Sequence, residues 1–276
     1  METGNAIELK GVTKRFGDVI ANDNVNLTVR KGEILSILGE NGSGKTTLMN
    51  MLSGIYFPDE GEVYVDGKEV TIRSPKDSFA LGIGMIHQHF KLINILTAAE
   101  NIILGLPGKE KLNMKQVEKE IRELTEQYGF DLNPSQKIYD MSVSQKQTVE
   151  IVKVLYRGAD ILILDEPTSG QDGHEKKMLM RLMESLQQRG ITIILVTHDM
   201  DIVARDCTRV IVIASHKVAF DGRPEELFSA KNRPEDWGLL YPASVLLGRK
   251  LPGAPYCRDM DSFCRTFIAL KGEGAL

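Results

Sequence analysis

Hydrophobic positions in the first 90 residues follow the pattern of short β-strands. Residues 6–38 alternate between apolar and polar side chains or form brief apolar runs such as "EILSIL", and both patterns predict strands. The stretch "EVYVDGKEVTI" at 62–72 predicts a hairpin that turns at Asp66 and Gly67. "GIGMIH" at 82–87 predicts another buried strand.

From about residue 92 to 156 the spacing of apolar positions becomes helical. "TAAENIILG", "MKQVEKEIRELTEQYG" and the run after Ser142 each predict a helix. Ser142 and Gln145 match the S-x-x-Q capping box, so we expect the last helix to start there. This region therefore reads as a helical insertion.

Beyond residue 156 wholly apolar strands return. "ILILD", "ITIILV" and "RVIVIA" are apolar on both faces, and a long helical stretch separates the first two. Strands of this kind, alternating with helices, predict a parallel sheet in an α/β core. The pattern weakens from about Ser229, which indicates a small C-terminal appendage.

Composition narrows the class of protein. The 276 residues carry a net charge of −4, which gives no basic footprint and argues against nucleic acid as the main partner. Cys207, Cys257 and Cys264 show no C-x-x-C spacing, so we expect reduced thiols in a cytosolic protein. The apolar runs are strand-length and the N-terminus has no apolar run, so we expect no signal peptide and no spanning helix.

A glycine-rich loop follows the strand "EILSIL". "GENGSGKTT" matches G-x-x-x-x-G-K-[ST], in which backbone N–H groups surround phosphate oxygens. Lys45 would supply an ammonium group for the β- and γ-phosphates and Thr46 a hydroxyl for Mg²⁺. The stretch predicts a Mg²⁺-nucleotide site formed by Gly39, Glu40, Asn41, Gly42, Ser43, Gly44, Lys45, Thr46 and Thr47.

Two carboxylates end the strand "ILILD" and begin the next turn. Asp165 is suited to hold Mg²⁺, directly or through water. Glu166 is suited to orient and deprotonate an attacking water. Together with the phosphate loop, this pair predicts nucleotide hydrolysis.

Five further segments occur in the order typical of the ATPase subunits of ABC transporters: "VTKRFG", "IHQHF", "MSVSQKQ", "SGQD" and "LVTHD". The chain resembles this family over at least residues 6–228. The resemblance implies a P-loop NTPase of ABC type within residues 1–228, with an N-terminal antiparallel β subdomain, a parallel-sheet core and a helical subdomain at about 92–156. It leaves residues 229–276 as a C-terminal extension with a possible role in dimerisation.

The resemblance also implies roles for single residues. Phe16 would stack on adenine, Gln88 would approach Mg²⁺ and the attacking water, and His198 would donate a hydrogen bond to the γ-phosphate. Asp172 would lie in the family's D-loop. The helix start at Ser142, Ser144 and Gln145 would complete the ATP site of an opposing subunit.

This helix start departs from the family pattern, which is L-S-G-G-Q. Val143 and Ser144 stand where two glycines are usual, and Thr148 stands where arginine is common. A Cβ at Ser144 adds bulk where backbone must approach phosphate closely. We therefore expect the altered signature to affect how well this chain serves its partner.

Two resemblances bear on the transport substrate. The stretches at 75–105 and 149–170 are similar to ATPases of bacterial simple-sugar and nucleoside importers, which usually carry two such domains in one chain. The tail resembles instead the extension of energy-coupling-factor importers of vitamins or metals. Both imply ATP, Mg²⁺, transmembrane permease subunits and a second ATPase subunit, like or unlike.

The expected location is peripheral, at the cytoplasmic face of the cell membrane, with a substrate-binding protein involved only indirectly. Two alternatives stay open at this point. One is a soluble ABC ATPase acting on ribosomes or DNA, although such proteins usually carry tandem domains or basic insertions. The other is a regulatory subunit with weak turnover.

Overall fold

An antiparallel sheet forms the first part of the chain in the computed structural model, which describes residues 4–106, 113–229 and 231–272. Its strands run in the order β2-β1-β4-β5. Asp66 and Gly67 join β4 to β5 and have φ values of 51° and 74°, the left-handed pair that a tight hairpin requires. The predicted hairpin is confirmed. The strands are β1 (Asn5–Phe16), β2 (Val19–Arg30), β4 (Glu60–Val65) and β5 (Lys68–Val70).

The second sheet has six strands in the order β10-β9-β3-β8-β7-β6. The five strands from β9 to β6 are parallel, as predicted, and the edge strand β10 pairs antiparallel with β9. The carboxyl ends of parallel strands meet at one edge of a sheet, where α/β proteins place their ligands. The strands are β3 (Ile34–Leu38), β6 (Ile83–Ile86), β7 (Ile161–Asp165), β8 (Thr192–Val196), β9 (Arg209–Ala214) and β10 (Lys217–Gly222).

Helices follow most of these strands. One hydrophobic cluster joins the two sheets to α1, and a second joins the core sheet to α5 and α6. The α-helices before the C-terminal region are α1 (Lys45–Leu52), α2 (Pro75–Ala80), α3 (Ala98–Ile103), α4 (Met114–Tyr128), α5 (Val143–Tyr156), α6 (Gly173–Gln188), α7 (Met200–Asp206) and α8 (Pro224–Leu227).

The helical region has a core of its own. Ile102 of α3, Ile121 of α4 and Val149 of α5 share a fully buried cluster. The capping box predicted at the start of α5 is present, because the Ser142 side chain accepts from the Gln145 N–H and the Gln145 side chain accepts from the Ser142 N–H. This small core positions α5 relative to the sheet.

The C-terminal region contains a 3-10 turn (Pro234–Trp237) and the helices α9 (Ala243–Gly248) and α10 (Met260–Gly272). Leu239 and Val245 are buried in one cluster with Leu38 of β3 and Met200 of α7, so the first part of this region packs on the core sheet. No side chain of α10 is buried.

Some residues of the expected regions lie outside the described part: 107–112 in the helical subdomain, and 230 and 273–276 in the C-terminal extension. Within the described ranges, no helix combines the length and the apolar character needed to cross a bilayer.

Candidate functional site

The phosphate loop lies between β3 and α1 and depends on glycine at two positions. Gly39 and Gly44 have φ values of 150° and 102°. A Cβ at Gly39 would collide with the carbonyl oxygen of Ile213, and one at Gly44 with that of Ala21. Any side chain here would displace the loop from the neighbouring strands.

Lys45 is held inside this loop. Its side chain is almost fully buried, and Nζ donates to the carbonyl oxygens of Gly39 and Glu40, both at 2.8 Å. Burial lowers the pKa of Lys45, while the charges of Glu166 and Asp165 raise it. The ammonium group therefore lies where the loop would receive a polyphosphate.

The acidic end of β7 faces this ammonium group. Burial, and then the charge of Glu166, raise the pKa of Asp165, whereas Lys45 and a hydrogen bond with Thr46 lower it. The Oδ1 atom of Asp165 is buried and has no hydrogen-bond partner. A buried carboxylate oxygen without a partner, next to a threonine hydroxyl, fits Mg²⁺, which usually takes one or two protein oxygens together with substrate phosphates.

Glu166 follows directly in the left-handed conformation, with φ of 50°. Its backbone N–H donates to the carbonyl oxygen of Val196 at 2.9 Å, so the turn begins directly after the last hydrogen bond between β7 and β8. Its Oε2 atom lies 2.7 Å from Nδ1 of His198, whose side chain is 73% exposed. The sharp turn thus brings a carboxylate and an imidazole from adjacent strands together.

A cleft of about 1300 Å³ joins these parts, large enough for a nucleotide. It brings together most of the residues predicted from the sequence, and those that line it are Gly39, Glu40, Asn41, Gly42, Gly44, Lys45, Thr46, Thr47, Gln88, Asp165, Glu166 and His198.

The other predicted residues lie elsewhere. Ser43 is buried behind the loop with its hydroxyl oxygen unpaired and lines a small adjoining cavity. Phe16 is 44% exposed and packs edge-on against Tyr56 at 5.1 Å. Asp172 caps α6, where its Oδ1 accepts from the N–H groups of His174 and Glu175.

The signature residues Ser142, Ser144 and Gln145 stand at the start of α5 and do not line the cleft of their own chain. Ser142 is exposed, and so is Val143 at 46%. Their roles toward an opposing subunit, like those of Phe16 and Asp172, stay predictions.

Several residues that line the cleft were not predicted from the sequence, and two groups of them matter for the site. Lys176 of α6 lines the cleft and pairs with Asp199 at 2.7 Å. The segment from Gly238 to Ala243 lines another side. Neither group belongs to a motif, and only the folded chain brings them here.

Comparison with known proteins agrees with this geometry. The family model for "ABC transporter" matches residues 22–169. A nucleoside import ATP-binding protein of Lactococcus lactis, NupA, is 50% identical over 219 residues, which are 79% of this chain and 43% of the relative. A guanosine import ATP-binding protein of Bacillus subtilis, NupO, is 48% identical over 213 residues, covering 76% of this chain and 42% of the relative.

The chain thus spans less than half the length of these two curated relatives. Among solved structures, cbiO1 from Clostridium perfringens, part of the ABC transporter complex cbiONQ, superposes with a TM-score of 0.73. It is 30% identical, and the match covers 83% of this chain and 92% of that one. The chain belongs to the ABC transporter family, as one of its ATP-binding cassettes.

Proposed function

We propose that this chain is the ATP-binding subunit of an importer and hydrolyses ATP to drive uptake of a nucleoside or a related simple sugar through permease partners. The observation that carries this is the cleft in which Lys45, Asp165, Glu166 and His198 meet. The 50% identity to a nucleoside import ATP-binding protein supports the proposed substrate class.

Thr46 and Asp165 would hold Mg²⁺, which would supply positive charge to the phosphate oxygens of bound ATP. Lys45 and the backbone N–H groups of the loop bind the phosphate oxygens. Glu166 accepts the proton of the attacking water, since its carboxylate lines the cleft next to Asp165 and Lys45.

His198 positions this base. Its Nδ1 lies 2.7 Å from Oε2 of Glu166, and the exposed remainder of the ring is free to donate to the γ-phosphate. Gln88 lines the same cleft, which supports a contact of its side chain with the metal and the water.

The cleft is open, and the start of α5 is exposed in another part of the chain. These two facts support a pair of cassettes at the cytoplasmic face of the membrane, in which the α5 start of each closes the cleft of the other. A helix start is suited to this because its free N–H groups and positive dipole end attract phosphate.

The face that would meet the permease lies after Gln88. Asn101 is fully buried and fixes this loop, since its side chain accepts from the Ile93 N–H at 2.7 Å and donates to the Ile93 carbonyl oxygen at 3.1 Å. Leu92 packs inward on the helical core, while Ile93 and Ile95 are 42% and 73% exposed. Exposed isoleucines on a loop that is hydrogen-bonded to Asn101 suit the docking of a short partner helix.

The test is transport by the cassette with its permease subunits in vesicles. With Ile95→Asp we expect uptake and co-purification of the permease to fall at least about tenfold, because a charge would be buried at the interface. ATP binding by the isolated chain should stay unchanged. Met178→Asp is the matched control, since Met178 is also an exposed apolar residue, at 49%, and belongs to a different element, α6.

Uptake of labelled guanosine, ribose, a vitamin and a metal ion is measured in the same vesicles. Guanosine or ribose uptake that requires ATP supports the proposal. Uptake of the vitamin or the metal alone would instead identify an energy-coupling-factor importer, and ATPase activity without any permease would favour a soluble enzyme.

A further inference from the structure

The C-terminal region reaches the nucleotide cleft of its own chain. The segment Gly238–Ala243 lines one side of the cleft, together with the phosphate loop and the residues around His198. Leu240 is 77% exposed there. The preceding residues Asp236 and Trp237 line a smaller cavity directly beside Asn41, Gly42 and Ser43 of the phosphate loop.

Gly238 makes the tightest approach. It has a φ of 67°, and a Cβ built on it would overlap three atoms of the Glu40 side chain, including Cγ. The carbonyl oxygen of Glu40 accepts one of the two hydrogen bonds from Lys45 Nζ. A displacement of Glu40 by the C-terminal segment would therefore reach the lysine that binds phosphate.

Packing and one hydrogen bond hold the segment against the core. Leu239 is buried in the cluster that contains Leu38, the last residue before the phosphate loop, and Met200, two residues after His198. Tyr241 packs on Phe228 at 5.9 Å and donates through its hydroxyl to the Asn232 carbonyl oxygen at 3.3 Å. Trp237 packs on Phe220 at 6.0 Å.

We propose that residues 236–240 are a positioning element of the nucleotide site, which sets the place of Glu40 and thereby the affinity of the phosphate loop for nucleotide. Because coupling between two sites is reciprocal, a nucleotide that moves the loop also moves this segment. The proposal rests on nucleotide binding by the cassette and does not depend on what is transported.

Trp237 gives a direct readout, because it is the single tryptophan of the chain. Mg²⁺-ATP is titrated into the full chain while tryptophan emission is recorded and binding is measured by calorimetry. We expect a saturable change in emission with the same midpoint as the heat. Lys45→Ala should abolish both signals, which controls for non-specific quenching. Binding heat without any change in emission would overturn the proposal.

The second measurement compares two glycines. Gly238→Ala should weaken ATP binding at least about fivefold, since the new Cβ displaces Glu40. Gly253→Ala is the matched control: Gly253 lies in the same region with φ of 72°, but a Cβ there meets nothing within 4 Å. Equal effects of both substitutions would mean that backbone strain alone is responsible, and the proposal would fail.

A double substitution tests whether the effect of Gly238→Ala on ATP affinity is transmitted through Glu40. The Glu40→Ala substitution removes the three overlapping atoms, so adding Gly238→Ala to it should change ATP affinity less than about twofold. An undiminished effect of Gly238→Ala in this background would rule out Glu40 as the link.

If the Gly238→Ala variant does not fold, substitution of the exposed Leu240 tests the proposal instead. Leu240→Ala should change the midpoint of the emission titration, whereas Leu246→Ala, 45% exposed outside the cleft, should not. Identical titrations for these two variants would overturn the proposal.

Discussion

The Glu166 carboxylate is placed by an uncommon backbone conformation. A non-glycine residue in the left-handed region costs of order 1–3 kcal/mol when the surrounding structure enforces it. Two contacts hold Glu166 in this conformation: its backbone N–H donates to the carbonyl oxygen of Val196, and its carboxylate contacts His198. The strain turns the side chain out of the strand direction, so that Asp165 and Glu166, which are neighbours in sequence, both face the cleft.

Replacing Glu166 with glutamine keeps the shape of the side chain and removes the proposed base. We expect Glu166→Gln to lower ATP turnover by about 100-fold or more while ATP affinity is retained, because the amide cannot accept the proton of the water. Turnover and bound nucleotide are measured in the complex with its partners, with Glu184→Gln on the exposed face of α6 as the control. Near-normal hydrolysis by the Glu166 variant would contradict its assignment as the base.

Some residues of the cleft could be predicted from a short sequence motif, and others could not. Lys45, Thr46, Asp165 and Glu166 could be predicted because each lies in a short motif at a strand end, where topology fixes its place. Gly238 has no such signal, since its importance comes from a side chain almost 200 positions away in sequence, Glu40.

The helix α5 connects two segments that line the site. Near its start, Gln147 donates to the carbonyl oxygen of Pro167 at 2.9 Å and accepts from Gln171, both just after Glu166. One turn later, the buried Glu150 accepts from the backbone N–H of Lys91 at 2.8 Å, three residues beyond Gln88. The same helix therefore holds the loop after Glu166 and the loop that we propose faces the permease.

This arrangement predicts the effect of shortening Glu150. In Glu150→Ala the Lys91 N–H loses its acceptor, and Lys153, whose pKa burial already lowers, loses its neighbouring carboxylate. We expect unfolding free energy to fall by about 1–3 kcal/mol and amide exchange at residues 88–93 to accelerate. Glu150→Gln keeps an acceptor oxygen and should retain most of the protection. Unchanged exchange in the alanine variant would show that the loop is held by other contacts.

Strands and helices with a regular spacing of apolar residues could be predicted, and those with a weak pattern could not. The parallel strands, the hairpin and the start of α5 follow from apolar runs, turn residues and a capping box. The edge strand β10 was not predicted, because its residues alternate only between exposed and half-buried positions. The C-terminal turn and α9 were not predicted either, since tertiary packing on Leu38 and Met200 stabilises that region more than local preference does.

The chain matches 43% and 42% of the two curated relatives. In the proposed pair, a second cassette, like or unlike this one, completes the two sites. The exposed start of α5 would serve the partner's cleft, and its own cleft would receive the partner's signature. Two like chains would give both sites the altered signature, whereas an unlike partner with two glycines would leave one site intact.

Val143 and Ser144 decide between these pairings. The side chain of Val143 is 46% exposed at the helix start, next to Ser144, whose Cβ would add bulk where the backbone would approach phosphate in the proposed pair. A poorly placed phosphate donor can cost about 3 kcal/mol in the transition state. A chain using this helix start twice would weaken both of its sites, so we expect an unlike partner, with the faster site built on Lys45, Glu166 and His198 of this chain.

The test restores both glycines in the purified chain and measures ATP turnover without any partner. A gain of about tenfold or more in Val143→Gly/Ser144→Gly would support the steric argument, even though two glycines weaken the helix by up to about 1 kcal/mol each. Lys146→Gly controls for that weakening, since it lies on the same first turn and is not part of the pair. An unchanged rate would mean that the native helix start already serves phosphate well, and the reason to expect an unlike partner would disappear.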